Sequence, residues 1–335
     1  MESKKKTLQR TIMKIKLFLL SHIISHIQKN DQLIKTVEYT RGLYRYPKML
    51  GRHCPIYSKN QKTDVLVFAA HPDDDVLGLG TTLLRHSLNG ESIKIVFITN
   101  GTGRDSESWY IKADQAKKKF DIRYFEAIQA LSIINIPKEN IFSLGFPDGG
   151  TQRYLKHISK DVHTFLQELN PGRVYVHCIE GGHGDHDLTS YVVKSVCHKI
   201  GYQNVFEWTE YNPIQPIGTS DVRFLSTDNT SSEEISIDIS EEERSLKRKM
   251  LKCHQSQDVE QYYMMGEAIR QADTSQMDNE LKEYCQISKK RLQPFIKNFK
   301  NNNGYSKKIT ALSFLIGLKG NLFIGLEFLI DTLSI

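Results

Sequence analysis

The feature that most constrains this chain is an alternation, between residues 64 and 200, of short β-branched or aromatic runs with longer helix-like segments. Residues 65–69, 94–99, 141–144 and 173–177 read as strands. Residues 82–89, 121–135, 154–169 and 188–200 read as helices, the first three stopped by Asn89-Gly90, Pro137 and Asn170-Pro171-Gly172. Uniformly apolar strands joined by helical crossovers specify an α/β fold, a parallel sheet with helices on both faces. Ligands of such a sheet bind outside the carboxyl ends of its strands. Beyond Trp208 the pattern changes: 222–226 and 234–239 read as short strands, 240–254 and 257–271 as helices, and 228–234 as a polar surface loop. There is no internal repeat.

Composition narrows the class. With 335 residues, 39% hydrophobic and 25% charged, and a mean hydropathy of −0.43, the chain is neither a polytopic membrane protein nor disordered throughout. Its net charge of +6 is too diffuse to indicate nucleic acid as a partner. The five cysteines are widely spaced and form no C-x-x-C pair, so neither a disulfide framework nor a thiolate zinc site is indicated. A reducing, cytoplasmic setting is expected.

The ends differ from the middle. Lys4, Lys5, Lys6 and Arg10 precede an apolar stretch, 12–27, that is interrupted by Lys14, Lys16, His22 and His26, a pattern of an amphipathic helix rather than a signal peptide. Residues 309–335 are rich in Leu, Ile and Phe, but Lys319, Glu327 and Asp331 leave no uncharged run of the ~18 residues a spanning helix needs. Both ends are expected to be helical, either docked on the core or lying in a membrane interface beside basic flanks such as Lys307 and Lys308. The expected division is an N-terminal extension over 1–60, a central domain over 61–275 and a C-terminal extension over 276–335.

Two motifs fall at strand ends. Ala70-His71-Pro72-Asp73-Asp74-Asp75 follows the first strand, and Glu180-Gly181-Gly182-His183-Gly184-Asp185-His186-Asp187 follows the fourth. Three adjacent carboxylates repel one another, and a divalent cation is a common way to make such a cluster favourable. Taken alone, the aspartates could simply cap a helix, and the histidines could sit in a polar loop. Two such clusters at one sheet edge converge more naturally on a single ion. Histidine and aspartate without thiolate suit zinc in an open site with three protein ligands. Gly78-Leu79-Gly80 is no dinucleotide fingerprint, because Leu83 stands where the third glycine belongs. Trp109 and Tyr110, in the loop after the second strand, are candidates to stack on a bound ligand, cover the site or anchor the loop to the core, and His86, His157 and His163 read as ordinary core or surface histidines.

These motifs resemble the LmbE-like, PIG-L-type N-acetylglucosaminyl deacetylases, zinc amidohydrolases on a Rossmann-like sheet. The likeness extends through Thr99-Asn100-Gly101, Arg123 and Glu126, Leu144-Gly145-Phe146-Pro147-Asp148-Gly149 and His254-Gln255-Ser256-Gln257. It departs at Gly78-Leu79-Gly80-Thr81-Thr82, where the family commonly has G-x-G-G-T, and at Gly181, where some members carry a mobile tyrosine. The resemblance implies one zinc, or another divalent ion in its place, held by His71, Asp74 and His186, with a zinc-bound water as nucleophile. It implies Asp73 as general base and acid, His183 held by Asp185 as oxyanion stabiliser, and Arg123 and Asp148 on sugar hydroxyls. The implied reaction removes acetyl from an N-acetylated amino-sugar conjugate whose aglycone is open. Two alternatives stand beside it: a metal-dependent hydrolase of another amide or ester, and a non-catalytic carbohydrate-binding or assembly protein. The sequence leaves oligomeric state open, and peripheral attachment to the cytoplasmic face of a membrane stays in play through the terminal helices.

Overall fold

The computed structural model describes residues 10–16, 18–19, 22–23, 27, 29–54, 62–103, 111–225 and 233–301. The expectations for 302–335, for the basic cluster before Arg10, for Trp109 and Tyr110 and for most of the 228–234 loop fall outside them.

β1 (Val65–Ala69) carries no polar side chain and exposes none of its surface, as the middle strand of a covered sheet must. It pairs in parallel with β2 (Ile93–Thr99) and with β4 (Arg173–His177). β3 (Ile141–Phe146) continues the parallel sheet beyond β2, and β5 (Val205–Trp208) continues it beyond β4. β7 (Glu267–Gln271) then pairs antiparallel with β5, and β6 (Glu234–Ile237) antiparallel with β7. The order is thus β3-β2-β1-β4-β5-β7-β6. Connections leave β1 towards one edge and β4 towards the other, so the point where the order reverses lies between them, the usual ligand crevice of such a sheet.

Alternate residues of each strand feed two cores. Val65, Val67, Ile95 and Phe97 pack with Leu79 and Leu83 of α2 (Asp74–Leu88), Ala127 and Leu131 of α3 (Ala113–Ser132) and Met250 of α6 (Glu241–Cys253). Leu66, Phe68, Val174 and Val176 pack on the other face with Ile158 and Phe165 of α4 (Leu155–Leu169) and Leu188 and Val192 of α5 (Gly184–Ile200). Each buried aliphatic or aromatic side chain contributes about 1.5–3 kcal/mol, and these two layers hold the sheet edge rigid beneath the motifs.

Segments near both ends dock on this core. Glu38 of α1 (Asp31–Thr40) is fully buried against Arg153. Glu280 of α7 (Met277–Tyr284) and Glu207 of β5 grip Lys194 of α5 at 2.6 and 2.8 Å. Leu292 of α8 (Lys289–Asn301) is buried in the α4/α5 core. Residues 10–16, 18 and 19 are helical, with Ile12, Met13, Ile15, Phe18 and Leu19 exposed.

Two expectations downstream of Trp208 are corrected. Residues 257–271 are not a helix: a short 3-10 turn, Glu260–Tyr262, leads into β7. Its inward residues include charges, Glu267 bound by Lys247 Nζ at 2.9 Å and Arg270 by Glu207 at 2.6 Å, so the apolar alternation of a strand is missing. Residues 222–225, the described part of the expected 222–226 strand, are not a strand either. Val222 and Phe224 are buried as an alternation predicts, but the amides of Arg223 and Phe224 donate to the side chains of Gln215 and Glu234 instead of a ladder.

Candidate metal centre

Both motif helices begin earlier than periodicity suggests, so the two motifs occupy first turns. Asp73 stands at the N-cap of α2 and His183 at the N-cap of α5. Asp73 makes no side-chain cap bond, although Asp74 and Asp75 do lie in the first turn of α2. Asp74 instead turns back, its Oδ2 accepting from the amide of His71 at 2.7 Å.

That turn brings His71 and Asp74 together, and the α5 motif adds His186 across the crevice. His71 Nδ1 lies 3.2 Å from Asp74 Oδ2, His186 Nε2 lies 3.3 Å from His71 Nδ1, and His186 Nε2 lies 3.4 Å from Asp74 Oδ2. Ligands bound tetrahedrally to zinc at its usual distances of about 2.0–2.1 Å are separated by about 3.3–3.4 Å. The triangle therefore has the dimensions of three zinc ligands with a fourth position open. Protonation favours the same reading. Burial pushes the His186 imidazole down to about 3, leaving a lone pair. Asp74 is held far below the usual carboxylate range: burial opposes this, but His186 and His71 outweigh it. His71 moves the other way, because Asp148 and Asp74 overcome burial and raise it well above normal. An imidazole that draws a proton between buried carboxylates marks a place where positive charge is favoured.

The far side of His71 is also held. Its Nε2 lies 3.3 Å from Asp148 Oδ1 and 3.4 Å from Asp185 Oδ2, the arrangement by which a carboxylate orients a metal-binding imidazole. Asp185 accepts from Gly149 N at 2.6 Å and from Thr151 N and Oγ1 at 3.2 and 2.7 Å. Its tie to His183 is made by the main chain, Asp185 N donating to His183 Nδ1 at 3.2 Å. The ring of His183 stands edge-on to that of His71 with centroids 4.8 Å apart, and unlike the other histidines of the site it is partly exposed.

Asp73, beside the triangle, accepts from Arg123 Nη2 at 2.8 Å on Oδ1. Burial pushes its carboxyl up to about 6, with Arg123 pulling the other way. Arg123 Nη1 also donates to Gly101 O at 2.9 Å and lies 4.0 Å from Asp148 Oδ2, so the two residues expected to hold sugar hydroxyls are neighbours. All eight residues singled out from the sequence thus gather at one place.

Three further groups belong to the site and were not singled out. His177, the last residue of β4, lies 3.3 Å from Asp74 Oδ2 through Nε2, and its Nδ1 is 3.5 Å from Glu210 Oε1. The rule that ligands gather at strand carboxyl ends could have flagged His177. Glu210 and Tyr211, whose ring lies 5.5 Å from His186, follow β5 and carry no spacing signal. The departure at Gly181 has a steric reason: a Cβ there would lie 2.3 Å from the carbonyl oxygen of Tyr284, at the end of α7. Gly182 is pinched in the same way by Tyr211 O at 1.9 Å.

Fold and site together define an α/β protein with a buried histidine–carboxylate cluster suited to a divalent cation at the switch point of its sheet. Residues 66–197 match the family model described as PIG-L, GlcNAc-PI de-N-acetylase. Among solved structures, a deacetylase of the teicoplanin biosynthetic pathway is 17% identical, with TM-score 0.50 over 62% of this chain and 97% of its own. The N,N'-diacetylchitobiose deacetylase of Pyrococcus horikoshii is 22% identical, with TM-score 0.43 over 58% and 70%. A 4-carboxy-2-hydroxymuconate hydratase of Pseudomonas putida is 17% identical, with TM-score 0.43 over 60% and 82%. At such identities the first of these supports the fold alone. No curated protein matches the chain.

Proposed function

We propose that the protein is a metal-dependent de-N-acetylase acting on an N-acetylated amino-sugar conjugate. The observation that carries this reading is the triangle of His71, Asp74 and His186 with Asp73 beside it. These three residues would hold zinc or another divalent ion. When bound, such an ion supplies Lewis acidity to an acetamide carbonyl and acidifies water. Asp73 Oδ1 is engaged by Arg123, so Oδ2 is the oxygen that takes the proton of the attacking water and returns it to the departing amine. The carbon–nitrogen bond breaks, and acetate and a free amine result. Because His183 Nδ1 accepts from Asp185 N, its proton resides on Nε2, a donor for the developing oxyanion. Arg123 and Asp148 orient sugar hydroxyls.

Metal analysis of the purified chain, joined to acetate release from a panel of N-acetylglucosamine conjugates, tests the reading. Release from simple acyl esters or other amides in preference to every amino sugar would favour the broader hydrolase instead. A folded, metal-loaded chain inert towards all of them would favour a binding protein, which the retention of Asp73 argues against.

The exposed residues Ile12, Met13, Ile15, Phe18 and Leu19, set among Arg10, Lys14 and Lys16, support interfacial attachment of this segment to an anionic membrane. No helix among the described residues is long and apolar enough to cross a bilayer. Sedimentation with anionic vesicles at low and moderate salt tests the attachment, and a chain that stays in the supernatant at both contradicts it.

A further inference from the structure

The carboxylate that faces His71 from behind is held by a turn, and that turn rests on the N-terminal helix. Asp185 takes its hydrogen bonds from Gly149 and Thr151. Arg153 closes the same turn, its amide donating to Gly150 O at 3.0 Å, while its guanidinium lies so close beneath Gly150 that a Cβ there would sit 2.2 Å from Nη2. That guanidinium has no exposed surface. Its partner is Glu38 of α1, equally buried, at 2.8 Å, and the hydroxyl of Tyr154 donates to the other oxygen of Glu38. Asp31, the first residue of the same helix, stands 3.7 Å from Arg153 Nη1 and accepts from Arg291 of α8 at 2.9 and 3.1 Å. Polar contacts therefore run without a break from both terminal segments, through Arg153 and the 149–151 turn, to Asp185 and His71.

We propose that the buried Glu38–Arg153 pair is a positioning element of the metal centre, fixing Asp185, and through it His71, by holding the 149–151 turn. Glu38 lies before residues 66–197, the segment that matches the family model. Two arguments separate it from simple stabilisation. A buried ion pair is a poor device for stability, since a well-packed apolar pair of the same volume often does as well or better. And a carboxylate that orients a metal-binding imidazole has to be held itself, because loss of such outer partners weakens metal affinity about 10–100-fold.

The inference rests on the metal reading above, and the test separates the two. Zinc affinity of the full chain is measured by competition with a chromophoric chelator for the parent, Glu38→Gln and Lys194→Met. Lys194→Met breaks another buried ion-pair network, one with no contact to the 149–151 turn. Glu38→Gln is expected to weaken zinc binding by about 10–100-fold in the folded protein, and Lys194→Met to lower the melting temperature with affinity unchanged. Should Glu38→Gln not fold, Arg153→Lys, which keeps the charge but loses the fork that grips Glu38, is expected to show the same loss. Parent-like affinity in the Glu38 or Arg153 variant overturns the inference alone. So does an equal loss in Lys194→Met at matched stability. A parent that takes up no zinc overturns the metal reading, and the inference with it.

Discussion

Arg123 donates from Nη2 to Asp73 Oδ1 at 2.8 Å, a buried contact joining the middle of α3 to the loop that leaves β1. It places a permanent cation on the carboxylate proposed to move protons, and so bears directly on the pH at which that carboxylate is ionised. Removing the cation raises the carboxyl pKa. Since the base works ionised, Arg123→Met should move the acid limb of the kcat/KM profile to higher pH than in the parent and lower the plateau. An unmoved acid limb would mean that Asp73 is not the titrating base.

Asp73→Asn keeps the shape of the side chain but not its ability to accept a proton. Metal content should be unchanged and turnover lower by ~10² or more, the usual scale of general acid–base catalysis. Metal analysis and acetate release on the same preparation check both halves, and near-parental turnover would assign the base elsewhere.

Gly78 sits inside α2, where replacing glycine by alanine ordinarily favours a helix by about 1 kcal/mol. Here a Cβ would lie 2.2 Å from Trp208 Cδ1 and 2.3 Å from Nε1. Trp208 is fully buried, donates to Glu210 and packs against the ring of His177 at a tilt, with centroids 4.2 Å apart, so it has nowhere to retreat. Overpacking of this kind costs about 1–3 kcal/mol and should outweigh the helix preference. Urea unfolding of Gly78→Ala is expected to show a net loss of stability, and a gain would contradict the packing described.

His157 offers a pH test away from the metal centre. Burial, with Lys35, Lys160 and Lys156 nearby, pushes its imidazole down to about 4 from the ordinary 6.5. The unfolded chain therefore binds more protons than the folded one between those values, and stability should fall as pH drops from 6.5 towards 4. His157→Gln should flatten that part of the curve of melting temperature against pH. An unchanged slope would mean that other groups set the acid sensitivity.

The parallel half of the sheet was legible because its central strands are short, largely apolar runs buried on both faces, as Val65–Ala69 is. The antiparallel edge was not. β7 exists because β5 and β6 flank it, and Glu267 and Arg270 point into neutralising partners that only the folded chain brings near. The site divides in the same way. His71, Asp73, Asp74 and the α5 motif are dense in sequence and could be found there, whereas His177, the last residue of β4, and Glu210, just past β5, are single residues at the ends of separate strands. The role of Arg153 was hidden for a further reason: its partner Glu38 lies in a helix that reads, in sequence, as an appendage.

The central claim is that His71, Asp74 and His186 together hold one catalytic divalent ion. Metal content and acetate release measured together on the parent and His186→Ala test it most directly. The account predicts about one ion per chain in the parent, as expected for an open three-ligand site, and loss of metal and activity together in His186→Ala. Full metal occupancy in that variant would contradict it.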